Sequence, residues 1–496
     1  MKRLKRGSGI LLAISSLPSP YGIGTLGKAA YDFIDFLVEA NQTYWQILPV
    51  GPTGFGDSPY ASFSSFAGNP YLIDLDLLVE EGLLSTEDIE GDWGEDPACV
   101  DYGLLYQKKP AVLRKAFEQG FSKDKEAFYT FVKENEGWLP DYALFMAVKD
   151  HFDSVSWVEW PDEGIRLHKE EACASYRELL ANDILFYEYV QFLFFKQWEA
   201  VKAYAKEKGI LIIGDLPIYV ALDSADVWSE PEYFQLDSDN RPVWVSGVPP
   251  DSFSADGQLW GNPIYDWERM REDGYGWWIR RIGGMEKLYD ILRLDHFRGF
   301  SDYWAIPAGD KTAMNGHWVD GPGMDLIGRL TGWFSNITFI AEDLGYLTPK
   351  VRAFLEASEL PGMKVLEFAF DTREPSNYMP HTYINHCTCY VGTHDNATLM
   401  QWKEEAATED IELAKRYLGL NEEEGFVWGM ILGGMSSVAD LFVTQMQDYL
   451  ELGADARMNA PGIPEGNWRF RMKADAATSS LAKKIASMTA LYERGR

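Results

Sequence analysis

Eight short apolar runs rich in β-forming residues, near 10–14, 44–48, 210–214, 291–295, 337–341, 363–368, 388–392 and 439–444, each end at Gly, Pro, Asp or Thr. Helix-patterned segments lie between the later runs, such as 349–358 behind Thr348-Pro349 and 407–418 behind an acid-rich opening. Alternation of this kind builds a parallel sheet, and eight repeats fit an α/β fold of the closed (β/α)8 TIM barrel type. A doubly wound open sheet is the alternative. The spacing is uneven, so two insertions are expected: 51–208, mainly helical over 100–205 with its last helix from about Tyr187 to Lys208, and 216–288, loop-like over 223–275 where Pro, Gly, Asp and Trp crowd. Without an internal repeat or a low-complexity linker, residues 1–496 read as one barrel body rather than tethered modules.

A chain of 496 residues, 46% of them hydrophobic, supports a large core. Its formal charge of −31 repels phosphate backbones and anionic lipid, so nucleic acid and membrane are excluded as partners and a neutral polymer is favoured. Much of that charge is simply a solubilising surface. Cys99, Cys173, Cys387 and Cys389 have the spacing of neither a disulfide framework nor a paired Cys-x-x-Cys metal site, which fits a reducing compartment. The start, Met-Lys-Arg-Leu-Lys-Arg before Gly-Ile-Leu-Leu-Ala-Ile, imitates a secretory leader but lacks its cleavage pattern, and reads instead as the first strand. No apolar run reaches membrane-spanning length. A cytoplasmic monomer or weak oligomer is expected.

Three of the β-like runs lead straight into acids: Ile-Leu-Arg-Leu-Asp-His at 291–296, Phe-Ile-Ala-Glu-Asp-Leu-Gly at 339–345 and Gly-Thr-His-Asp-Asn at 392–396. Asp295, Glu342 and Asp395 therefore fall at the C-terminal edge of one barrel, where three carboxylates can converge on a sugar acetal. Strand alternation puts Arg293 and Asp295 on one face and Leu292 and Leu294 on the other, so the arginine is expected to hold Asp295 ionised by lowering its pKa. A structural ion pair or a helix cap is the blander reading of that aspartate. Glu342, sharing a face with Ile340 and lying next to Asp343, is expected to have a raised pKa and to donate a proton. Asp343 alternatively bonds the turn before Gly345. Asp395 follows His394, a pair suited to gripping sugar hydroxyls and shielding positive charge. These roles make Asp295 the nucleophile, Glu342 the general acid/base and Asp395 the transition-state stabiliser of a retaining reaction.

Phe, Trp and Tyr make up 14% of the chain, and aromatic platforms at loop positions suit the apolar faces of pyranose rings. For any single tryptophan, core packing is the commoner use. The Gly- and Pro-rich stretch 247–263 reads as a lid carrying Phe253 and Trp260 over the cleft.

Taken together, these motifs resemble the 4-α-glucanotransferases of the amylomaltase (disproportionating enzyme) group, glycoside hydrolase family 77, in the α-amylase clan. The resemblance spans Ser15–Gly24, Gly56–Tyr60 leading to Gly68–Tyr71, Gly214–Val220, the lid, Arg293–Gly299, Ala341–Gly345, Gly392–Asn396, Asn459–Gly462 and Gly466–Trp468. It implies a (β/α)8 barrel with inserted subdomains and no separate C-terminal β-domain, and no metal or organic cofactor. The implied substrates are maltodextrin, starch or glycogen-type α-1,4-glucans, with glucose as an acceptor. Arg293 and His394 are implied as supporting residues, and Ser58, Tyr60, Asp215, Phe253, Trp260, Asp371 and Asn467 as substrate-binding. Two positions depart from the pattern: Ser252 stands where an aromatic is expected in the lid, and Ala397 where a second acid is expected after Asp395-Asn396. The rivals are an α-amylase-like hydrolase on the same scaffold and a noncatalytic glucan-binding protein.

Overall fold

A computed structural model describes residues 3–54, 56–250, 254–345, 347–373, 376–463 and 465–496. Eight parallel strands form its centre: β1 (Gly7–Leu11), β2 (Tyr44–Gln46), β3 (Leu211–Leu216), β4 (Ile291–Leu294), β5 (Thr338–Ala341), β6 (Gly362–Val365), β7 (Cys387–Tyr390) and β8 (Leu441–Gln445). Seven ladders run β6-β7-β8-β1-β2-β3-β4-β5. The seam between β5 and β6 closes through the Ala341 amide, which donates to the Pro361 carbonyl at 2.9 Å. The sheet is thus a barrel rather than an open doubly wound sheet. Its strands are covered on both faces, which is why they read as continuous apolar runs. The first strand lies three residues earlier than the apolar run 10–14 suggests, because Gly7 and Gly9 accept the close approach of the Tyr44 side chain and backbone.

The outer helices follow the helical period. Lys28–Glu39 buries Ala30, Phe33, Ile34 and Leu37, at spacings of three and four, against the barrel. Pro349–Ser358 starts where the Thr348 side chain accepts from the Val351 amide and ends at Glu359 in the left-handed region. Between β2 and β3 lie the long helices Tyr102–Glu134, Leu139–His151 and Ala181–Glu207. The last starts well before Tyr187, because Ala181–Ile184 continue the helix without an apolar stripe to announce it. Gln191 and Gln197 on its buried face each pair with a backbone amide and carbonyl, of Gly68 and Asp74 respectively, at 2.7–3.0 Å. The loop after β2, which carries Tyr60, is thereby pinned to the helical insertion.

Residues 223–275 are not loop alone. They contain the strands Trp244–Val248 and Gln258–Pro263, which join Asp302–Pro307 and His317–Asp320 in a four-stranded antiparallel sheet. Its pairings cross β4, so no local pattern announces them. Many insertion tryptophans serve packing, with Trp157, Trp160, Trp228, Trp277 and Trp278 all buried. Among the described residues, no helix is long and apolar enough to cross a membrane.

Candidate active site

The site is built from strand ends. Asp215 on β3 is the register partner of Arg293 on β4, and the guanidinium Nη1 donates to both Asp215 oxygens at 2.7 Å. The same Nη1 donates to Asp295 Oδ1 at 2.9 Å, and Arg293 Nε contacts the Met363 sulfur at 3.4 Å. Tyr60 completes the cluster, its hydroxyl donating to Asp215 Oδ2 at 2.7 Å. The Arg293–Asp215 pair is almost wholly buried, whereas Asp295 keeps 26% of its side chain open to the cleft. Burial and the Asp215 charge push the Tyr60 phenol well up, so Tyr60 is a donor throughout the physiological range.

Arg293 reaches Asp295, yet the expected lowering of the carboxyl's pKa is not the outcome. Burial raises it to about 6, Arg293 pulls against that shift, and Asp215 and Asp395 add to it. The arginine is already shared with Asp215, so its pull does not overcome the loss of water.

Glu342 follows β5 directly, and the Leu294–Ala341 register puts it beside Asp295 on the adjacent strand. The amides of His296 and Leu344 donate to its Oε2 and Oε1 at 2.8 and 2.7 Å, fixing the carboxyl in place. His296, whose amide makes one of these bonds, lies in the left-handed region at φ 45°, a strained backbone held by the surrounding contacts. Burial pushes Glu342 up to about 7; Arg293 opposes this and Asp295 adds to it. The nearby like charge is Asp295, not Asp343. Asp343 is drawn away to the Met363 amide at the start of β6, at 2.5 Å, rather than to the turn before Gly345.

Asp395 sits on the loop after β7. Its carboxylate Oδ1 accepts from Asn459 Nδ2 at 2.6 Å, its carbonyl accepts from Arg457 at 2.8 Å, and its amide donates to the Thr393 hydroxyl at 3.3 Å. His394 Nε2 lies 3.4 Å from Asp395 Oδ2. The His394 ring stacks on Tyr60 at 5.1 Å, and Trp468 packs 5.6 Å from Tyr60. Aromatic stacking thus joins the Asp215–Arg293 side of the mouth to the Asp395 side.

The remaining residues named from the sequence are spread more widely. Trp260 is on a strand rather than a loop, 38% exposed, with its ring edge-on to the His296 ring at 4.8 Å. Ser58 accepts from the Tyr60 amide at 3.2 Å and shapes that turn. Asp371 pairs with Arg373 at 2.6–2.8 Å, and Asn467 bridges Ala460 and Ile463 within its own loop. Among the described residues, none of these three hydrogen-bonds to Asp295, Glu342 or Asp395. Phe253 and Ser252 lie outside the described residues. Sequence reasoning missed His296, Asn459 and Arg457. The first acts through its backbone and the others through contacts more than sixty residues distant in sequence, though His296 directly follows Asp295 in one quoted motif and Asn459 opens another. Among the described residues, no group of three or more His, Cys, Asp or Glu side chains is arranged to hold a metal ion.

Comparison with known proteins identifies the family. Residues 12–477 match the family profile described as 4-alpha-glucanotransferase. The 4-alpha-glucanotransferase of Clostridium butyricum is 49% identical over 97% of this chain and 99% of its own length; that of Streptococcus pneumoniae is 47% identical over 99% and 98%. Among solved structures, the amylomaltase of Streptococcus agalactiae in complex with acarbose superposes with a TM-score of 0.97 at 44% identity, covering 99% of this chain and 100% of that one. The chain belongs to the 4-alpha-glucanotransferase family, glycoside hydrolase family 77.

Proposed function

We propose that this chain is a 4-α-glucanotransferase that moves a segment of an α-1,4-glucan to the 4-hydroxyl of another glucan or of glucose, by retaining double displacement through a glycosyl ester on Asp295. The observation that carries this reading is the pair Asp295 and Glu342, side by side on adjacent strand ends, with the glutamic acid holding its proton to higher pH. Adjacent strands lie about 4.8 Å apart, which suits the roughly 5–5.5 Å carboxyl separation of retaining enzymes. The name its relatives carry, 4-alpha-glucanotransferase, supports transfer rather than hydrolysis as the second half-reaction.

In the first step, the Asp295 oxygen not held by Arg293 attacks the anomeric carbon. The bond from that carbon to the leaving 4-oxygen breaks, and Glu342 gives that oxygen its proton. In the second step, Glu342, now a carboxylate, takes the proton of the acceptor 4-hydroxyl as its oxygen displaces Asp295. The Arg293–Asp215 pair holds one Asp295 oxygen in place, and Tyr60 fixes Asp215. Asp395, held by Asn459 and flanked by His394, binds ring hydroxyls and stabilises the oxocarbenium-like transition state. Tyr60 and Trp260 supply aromatic faces for flanking sugars. The insertions 51–208 and 216–288 belong to this single catalytic body, one pinning the Tyr60 loop and the other presenting Trp260.

Incubation of the purified protein with maltotriose tests the reading. A transferase gives a ladder of shorter and longer maltodextrins with constant reducing ends. Rising reducing ends would identify a hydrolase instead, and unchanged maltotriose a noncatalytic glucan binder.

A further inference from the structure

Below the Asp395 loop lies a buried acid that the mechanism above does not use. Glu367, in the turn after β6, is 5% exposed, and its Oε1 has no hydrogen-bond partner among the described residues. Asp448, behind β8, is equally buried, with Oδ1 accepting from the Leu399 amide and Oδ2 unpartnered. Buried carboxyls resist ionisation, and Glu367 is driven well up by burial and by the charge of Asp448. Arg457, the nearby cation, opposes that shift but spends its own hydrogen bonds on the carbonyls of Asp395 and Asn459.

Glu367 faces the loop closely. A side-chain carbon added at Gly392 would meet Glu367 Oε1 at 2.9 Å and the Asn396 side chain at 3.1 Å, so an added methyl there would press on both. From there a hydrogen-bond chain runs in one direction. The Asp395 amide donates to the Thr393 hydroxyl, that hydroxyl donates to Asn396 Oδ1 at 2.8 Å, and the Asn396 side chain lies against the Glu367 carboxyl across Gly392. The Thr393 amide adds a second bond to Asn396 Oδ1 at 2.9 Å. Bonds aligned this way in a buried setting reinforce one another.

We propose that Glu367 is a positioning residue for the reaction: buried beneath the loop, it backs Asn396 and Thr393, and through them sets the place and direction of Asp395. The inference rests on the role given to Asp395 above. A stabilising carboxylate displaced by an ångström costs about 100-fold in rate, and Asp395 is asked to act chiefly in the transition state. The expected signature of Glu367→Leu is therefore a fall in kcat of about 10- to 100-fold on maltotriose, with KM changed less than about threefold. Glu367→Gln keeps the shape, the neutrality and the contact with Asn396, and should restore kcat to within a few-fold of the parent.

The test measures kcat and KM for both variants and for Asn396→Ala, which cuts the same chain one link nearer to Asp395. Loss in Glu367→Leu and Asn396→Ala with rescue in Glu367→Gln supports the proposal. Parental kcat in Glu367→Leu overturns it, as does a loss in Glu367→Gln as deep as that in Glu367→Leu. If Glu367→Leu does not fold, parental kcat in Asn396→Ala overturns it in its place. Failure of the unaltered protein to convert maltotriose defeats the functional reading itself, a different result from an active parent with insensitive variants.

Discussion

At the scale of single residues, the chemistry rests on two neighbouring carboxyls that hold a proton differently. Asp295 must be ionised and Glu342 protonated, so activity should fall as pH drops through about 6 and again as it rises through about 7. The two limbs belong to the coupled pair rather than to either group alone. A profile of kcat/KM against pH should thus be a narrow bell, and Glu342→Gln should erase its alkaline limb. A limb unchanged in that variant would reassign the proton donor. Asp295→Asn keeps the shape but loses the nucleophile, and kcat should drop by on the order of 10⁴-fold or more, with maltodextrin binding by calorimetry nearly intact. In Glu342→Gln, natural glucans should lose about 10²- to 10⁴-fold, while donors with activated leaving groups keep a faster first step. Equal losses on both would contradict proton donation.

At the scale of elements, the helical insertion reaches the site through two glutamines. Gln191→Leu strips partners from the Gly68 amide and carbonyl, both at a buried position. Each orphaned group costs about 1–3 kcal/mol, so urea unfolding should show a loss of about 2–6 kcal/mol, and a loss below 1 would show that the docking is dispensable. This contact also marks the limit of what was legible in the sequence. All eight barrel strands were visible because burial on both faces leaves unbroken apolar runs, and the acids were visible because each terminates one. The antiparallel sheet was not. Trp244–Val248 finds its partner at Asp302–Pro307, beyond an intervening barrel strand, and its Gly and Pro neighbours read as loop. Arg293 beside Asp295 was legible from strand alternation, but the net pKa shift was not, because burial and the sharing of the guanidinium with Asp215 exist only in the folded chain. Asn459 and Arg457 were hidden for the same reason, since nothing local ties them to Asp395.

At the scale of the whole molecule, charge and buried acids act in the same direction. Asp448 has an ordinary value of 3.8 and is pushed by burial to about 7 in the folded chain. Between those values the folded state holds a proton that the unfolded state has lost, so this stabilisation is complete below about 4 and disappears as pH rises through 7. A net charge of −31 adds self-repulsion at neutral pH. Tm should therefore be higher at pH 5.5 than at pH 8, and Asp448→Asn should flatten that slope. A Tm that rises with pH across this window would contradict the assignment of buried neutral acids.

The central claim is a sugar briefly esterified to Asp295, and Glu342→Gln offers the means to see it. With a glucosyl fluoride donor, which needs no proton for departure, the variant should form the ester quickly and resolve it slowly for want of a base. Acid quenching followed by peptide mass spectrometry should find one added glucosyl unit on the peptide containing Asp295. An adduct on another residue, or fluoride release with no adduct at all, would contradict the account.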